Sequence, residues 1–65
     1  MHVIFMRRES THDNVMWEIH DGKKWWTANF HTRDGSWSIM SSNLVEVKPG
    51  GRLGRKIIAA IEKHK

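Results

Sequence analysis

Five histidines give this chain its widest choice of chemistry: His2, His12, His20, His31 and His64. Imidazole is a common metal ligand and the commonest general acid or base. Zinc sites bring ligands together at short, regular spacings and often include cysteine. Here no two histidines follow an H-x-x-x-H spacing, and the chain has no cysteine. We therefore expect no metal site and no cofactor.

Two of these histidines, His20 and His31, lie in segments that the sequence pattern predicts to be adjacent strands. An imidazole pair on one sheet face, near Glu18, could act as the acid and base of a metal-free ribonuclease or toxin. Histidines that are simply exposed on a sheet are more common. We therefore expect no enzyme, and a ribonuclease that uses His20 and His31 is the third of three functional hypotheses.

The segment DGKKWWTANF, residues 21–30, contains two adjacent tryptophans, which strand alternation must send to opposite faces of a sheet. One parity of this segment is apolar: Trp26, Ala28 and Phe30. The other parity is mostly polar and carries Trp25, Asn29, His31 and Arg33. We predict that Trp26 is core and that Trp25 lies on an open face, unless a one-residue bulge exchanges the two. An aromatic ring among hydrogen-bonding groups suits stacking on an unpaired base.

Positive charge is concentrated in the C-terminal segment. The net charge of the chain is +4, but residues 1–47 hold five basic and six acidic residues, which sum to −1. Residues 48–65 hold six basic residues and one acidic residue, which sum to +5. Such a segment favours an anionic partner. The predicted phosphate contacts are Lys48, Arg52, Arg55, Lys56 and Lys63.

Short apolar or alternating segments before residue 48 predict strands: HVIFMRR, NVMWEIH, KKWWTANFHTR and SWSIMSS. NLVEV either continues the last strand or forms a short separate one. Asp21-Gly22 and Asp34-Gly35 are typical of tight hairpin turns. After the breaker KPGG, apolar residues recur at helical spacing. The expected fold is α+β, a three- to four-stranded antiparallel β-meander with one C-terminal helix packed on one face.

The length predicts a single small domain over residues 1–65, with the sheet in 2–47, a loop in 48–51 and the helix in 52–64. A chain of this size buries only about 60% of its unfolded surface, and self-association into a homodimer is a common remedy. No apolar stretch has the length of a membrane span or signal peptide, and the lack of cysteine fits a reducing compartment. We expect a cytoplasmic protein with no membrane partner.

The glycine-rich turn and basic helix in KPGGRLGRKIIAAIEKHK follow a meander, an order that is similar to the second half of a double-stranded-RNA-binding domain. That domain has a further helix before its first strand, which this sequence lacks. The likeness covers less than half of the chain, and a shared architecture does not define function.

Two functional hypotheses rank above the ribonuclease hypothesis. The leading one is a non-enzymatic protein that binds DNA or RNA, with the basic helix on phosphates and the open face near Trp25 on bases. The alternative is a protein-binding inhibitor or adaptor, possible for a small phage- or plasmid-type protein, that presents the exposed tryptophan and basic surface to an acidic protein. Phosphate binding should weaken steeply with salt, whereas binding anchored by buried aromatic residues should not.

Overall fold

Five antiparallel strands, joined in sequence order, form one sheet in the computed structural model, which describes residues 2–64. They are β1 (Phe5–Ser10), β2 (Asn14–His20), β3 (Trp25–His31), β4 (Ser36–Ser41) and β5 (Glu46–Val47), and helix α1 (Arg52–Lys63) follows. The α+β class, the meander and the C-terminal helix are confirmed. The sheet has five strands rather than three or four, because residues 46–47 form a separate strand that pairs with β4.

Two glycine turns set the hairpins that connect β2 to β3 and β3 to β4. Gly22 has φ 113° and Gly35 has φ 74°, a backbone region that glycine adopts without steric cost. The β2–β3 register is continuous from the Asn14–His31 pair to the His20–Trp25 pair. No bulge interrupts that register, so the predicted alternation of side chains along β3 is retained.

The core lies between one face of the sheet, here called the inner face, and α1. It consists of Trp17, Ile19, Trp26, Ala28 and Ile39 from the sheet, and Ile57 and Ile61 from the helix. The two helical isoleucines are one turn apart, so they share the side of α1 that contacts the sheet. Trp26 is therefore in the core, as predicted. The opposite face of the sheet, here called the outer face, carries Trp25.

The helix begins at Arg52, directly after a loop that contacts its first turn. Gly51 is the N-cap residue and provides no side-chain hydrogen bond. Gly54 is buried against the backbone of Lys48 and Pro49. Glycine costs about 1 kcal/mol in a helix relative to alanine, but here it permits this close contact. Within residues 2–64, no helix has the length and apolar character that crossing a membrane requires.

Candidate nucleic-acid interface

The outward side of α1 is a basic surface, here called the basic helix face. It comprises Arg52, Arg55, Lys56 and Lys63, all exposed, together with the exposed Lys48 that precedes the helix. Burial of Ile57 and Ile61 fixes the rotation of the helix about its axis. The same packing that forms the core therefore directs these cationic side chains towards solvent.

Small residues separate two of the cations on this face. Lys56 and Lys63 border a shallow depression of about 220 Å³, and Ala59 and Ala60 line it. The small methyl side chains leave a gap on the helix surface between the two lysines. Arg55 is held at the start of the helix, where its Nε donates a hydrogen bond of 3.1 Å to the carbonyl oxygen of Gly50.

Carboxylates are scarce near these cations. Across residues 2–64, the ion pairs seen at 4 Å or less include none made by Lys48, Arg52 or Lys56. Glu62 is the one acidic residue of the segment from 48 to 65. The exposed side chains of Lys48, Arg52 and Lys56 therefore direct their charge towards solvent.

The outer face of the sheet carries a row of rings at one end. Trp25 is 38% exposed, and the His20 ring stacks on it with centroids 5.7 Å apart and planes at 15°. Phe5 meets His20 edge-on at 5.2 Å. Trp25 is therefore exposed, as predicted, and the ring of His20 already stacks on one side of it.

The other predicted base-contacting residues lie towards the opposite end of β3. Asn29 accepts a hydrogen bond of 2.7 Å from Asn14 Nδ2, and a bond of 2.9 Å joins His31 Nε2 to the hydroxyl of Ser38. Arg33 lies beyond the strand, 3.8 Å from an Asp13 carboxylate oxygen. Trp25 and His31 are six residues apart on β3, about 20 Å. The four residues thus follow the length of the sheet and do not form one compact cluster.

The same register separates the two histidines of the ribonuclease hypothesis. His20 is paired with Trp25, whereas His31 is paired with Asn14 at the other end of the two strands. General acid–base catalysis requires each group to be within hydrogen-bond reach of the reacting atoms. A separation of about 20 Å prevents both imidazoles from acting on one phosphodiester. Among residues 2–64, no three His, Cys, Asp or Glu side chains are grouped to hold a metal ion.

Charge differs between the two sides of the sheet. Strand alternation places one basic residue, Arg7, and three acidic residues on the outer face: Glu9, Glu18 and Glu46. The basic helix face lies on the other side of the molecule, beyond the core. The basic helix face and the outer face are therefore separate surfaces on opposite sides of the core, and the stronger cationic surface is the helix.

Sequence reasoning missed the exposed apolar residues beside Trp25, which include Phe5, Met40 and Leu44. The parity of β1 and β4 contained a signal for the first two, because each lies on the same face as Trp25 in a continuous register. Leu44 lies in the β4–β5 turn with φ 65°. No pattern in the sequence marks that conformation.

No family model matches this chain, and neither the curated proteins nor the solved structures include one that is significantly similar to it.

We predict that Glu18 makes stability depend on acid pH. Its Oε2 accepts a hydrogen bond of 2.9 Å from His20, which holds the pKa of the Glu18 carboxyl below its ordinary value, and Arg7 acts in the same direction. A lowered pKa in the folded state stabilises the protein above the unfolded-state pKa, and this contribution disappears as the pH falls through the folded-state pKa. Glu18→Gln should therefore lower the melting temperature near neutral pH and reduce its decline in acid.

Thermal unfolding followed by circular dichroism, from neutral to acidic pH, measures this effect. Glu9→Gln, on exposed β1, is the control and should leave the shape of the pH profile nearly unchanged. Parallel acid profiles for wild type and Glu18→Gln would contradict the assignment.

Proposed function

We propose that this protein is a non-enzymatic nucleic-acid-binding protein whose basic helix face contacts the phosphate backbone of DNA or RNA. The observation that carries the proposal is the segregation of charge: exposed cations lie together on the outward side of α1, while the strands of the outer face carry three carboxylates and one arginine. The contacts are assigned to Lys48, Arg52, Arg55, Lys56 and Lys63.

The dimensions of the helix support this assignment. At 1.5 Å per residue, the cations from Arg52 to Lys63 extend over about 16 Å. Phosphates recur every 3.4 Å along the axis of one strand of a duplex, so this length faces several of them. Each neutralised phosphate releases condensed counterions, which is a sequence-independent source of affinity.

Base contacts by the residues of the outer face form a separate prediction. A nucleic-acid strand bound to the basic helix face must pass around an edge of the sheet to reach Trp25. We therefore assign most of the affinity to the helix, and stacking on Trp25 adds to it only where the nucleic acid is single-stranded and long enough to wrap. A preference for long single strands over duplexes, lost in Trp25→Ser, is the expected sign of that contribution.

Fluorescence anisotropy of labelled single- and double-stranded DNA and RNA, titrated with protein over a salt series, tests the proposal. With four or five phosphate contacts, log K for duplex DNA should fall against log salt with a slope of about −4. Lys56→Ala should make that slope shallower by about 1. Lys23→Ala, in the β2–β3 turn, is the matched control and should leave the slope unchanged. Absence of binding at low salt would contradict the proposal.

A further inference from the structure

Four large apolar side chains are exposed around one end of the outer face, and they are here called the outer apolar patch. They are Phe5 (52% exposed), Trp25 (38%), Met40 (42%) and Leu44 (79%). One groove of about 270 Å³ is lined by three of them, Trp25, Met40 and Leu44, together with polar residues of β3 and β4. Single exposed apolar residues are ordinary, but a contiguous set marks an interaction surface.

This patch fits a protein surface better than a nucleic acid. The outer face bears Glu9, Glu18 and Glu46 against one arginine, Arg7, so it attracts a phosphate backbone less than the basic helix face does. The protein's own core is small, with seven buried apolar residues among those described. Chains of this length commonly add stability by association. We propose that the outer face packs against the same face of a second copy, which forms a two-fold homodimer.

The two margins of the outer face carry side chains that complement each other. Cross-strand pairs connect Arg7 through Glu18, Thr27 and Met40 to Glu46, so one row runs from β1 to β5 with a cation at one margin and an anion at the other. A two-fold axis along β3 places β1 of one copy opposite β5 of its partner.

That axis brings unlike charges and apolar groups together at the margins of the face, and between them it places Glu18 opposite Met40. Arg7 then faces the Glu46 carboxylate of the other copy, Phe5 faces Leu44, and the two Trp25 rings meet at the axis. Faces of sheets pack in this way with strands nearly aligned.

The strands alone supply about half of the area that a stable dimer buries on each partner. Their 6, 7, 7, 6 and 2 residues, at about 3.3 Å along and 4.8 Å across the sheet each, cover roughly 440 Å². Stable interfaces bury about 800 Å² per partner, so the side chains that protrude from the face and the turn around Leu44 must supply the rest. Both basic helix faces remain on the outside of such a dimer, so phosphate contacts by the helix are compatible with it, whereas base stacking on Trp25 requires the monomer.

Sedimentation equilibrium over a concentration series, without nucleic acid, tests the dimer. The average mass should rise from 7.7 kDa towards twice that value. Arg7→Glu and Glu46→Arg should each weaken association about tenfold or more, because like charges then face each other, and the double variant should regain most of it. Trp25→Ser with Leu44→Ser should shift the chain to monomer. Circular dichroism shows whether each variant is folded.

The control separates this inference from nucleic-acid binding. Lys63→Glu should leave the dimer constant unchanged while it weakens binding to DNA or RNA. A chain that stays at 7.7 kDa throughout overturns the dimer, as does a dimer insensitive to the charge reversals and the Trp25 and Leu44 changes. A monomer that loses single-strand affinity on Trp25→Ser would identify the outer face as a base-binding surface instead.

Discussion

Gly54→Ala is expected to lower the free energy of unfolding by about 3 kcal/mol or more, a severe loss for a domain of this size. A Cβ at this position would lie 2.1 Å from the carbonyl oxygen of Lys48 and 2.8 Å from Cα of Pro49. Both are backbone atoms, so no rotamer change relieves the contact. Alanine gains about 1 kcal/mol of helix propensity, which offsets only part of the clash. The first turn of α1 must therefore move away from the loop.

Gly50→Ala is the matched control. Gly50 lies four residues earlier, in the loop before α1, where an added Cβ would meet nothing within 4 Å and φ is not positive. Thermal unfolding should show Gly50→Ala near wild type and Gly54→Ala lower by roughly 12 °C or more. Equal melting temperatures for the two variants would refute the close contact between α1 and Lys48–Pro49.

The second large effect is expected at the adjacent tryptophans, where the same substitution should lower the free energy of unfolding by very different amounts. Trp26 is 5% exposed within the core, so Trp26→Ala should lower the free energy of unfolding by about 3–5 kcal/mol through lost burial and a residual cavity. Trp25 is on the outer face, and Trp25→Ala should cost about 1 kcal/mol or less in the monomer. The two substitutions remove the same side chain from neighbouring positions, so the comparison isolates the effect of burial.

Urea unfolding followed by circular dichroism, at two protein concentrations, provides the measurement. The deficit of Trp26→Ala should be the same at both concentrations. The deficit of Trp25→Ala should grow with concentration, because wild type gains stability from the proposed dimer. If Trp25→Ala is the more damaging change in dilute protein, the face assignment is wrong.

The local features of this fold follow directly from the sequence. The alternation in residues 25–30 assigns Trp25 and Trp26 to opposite faces because consecutive strand side chains must point in opposite directions. Gly22 and Gly35 mark the two hairpin turns because those turns require positive φ. The apolar spacing around Ile57 and Ile61 predicts the helix and the side that it buries. These properties depend on a few neighbouring residues, so no distant contact is needed to deduce them.

The candidate site could be predicted only in part, because some of its features depend on how separate strands pair. The cations of residues 48–63 and the exposed ring of Trp25 were identified from composition and parity. Their placement on opposite sides of the core also follows from parity, because the helix covers the apolar face of the sheet. The row of side chains from Arg7 to Glu46 was not predictable, because it depends on how five strands pair.

The sequence by itself determined the class of fold, the hairpin turns, the opposite directions of Trp25 and Trp26 and the basic character of α1, since each is a property of a short segment. Only the tertiary structure decided the contact of Gly54 with Lys48, the exposed position of Leu44 and the charge difference between the two sides of the sheet. Each of these brings together atoms from separate elements, and their placement depends on packing of the whole chain.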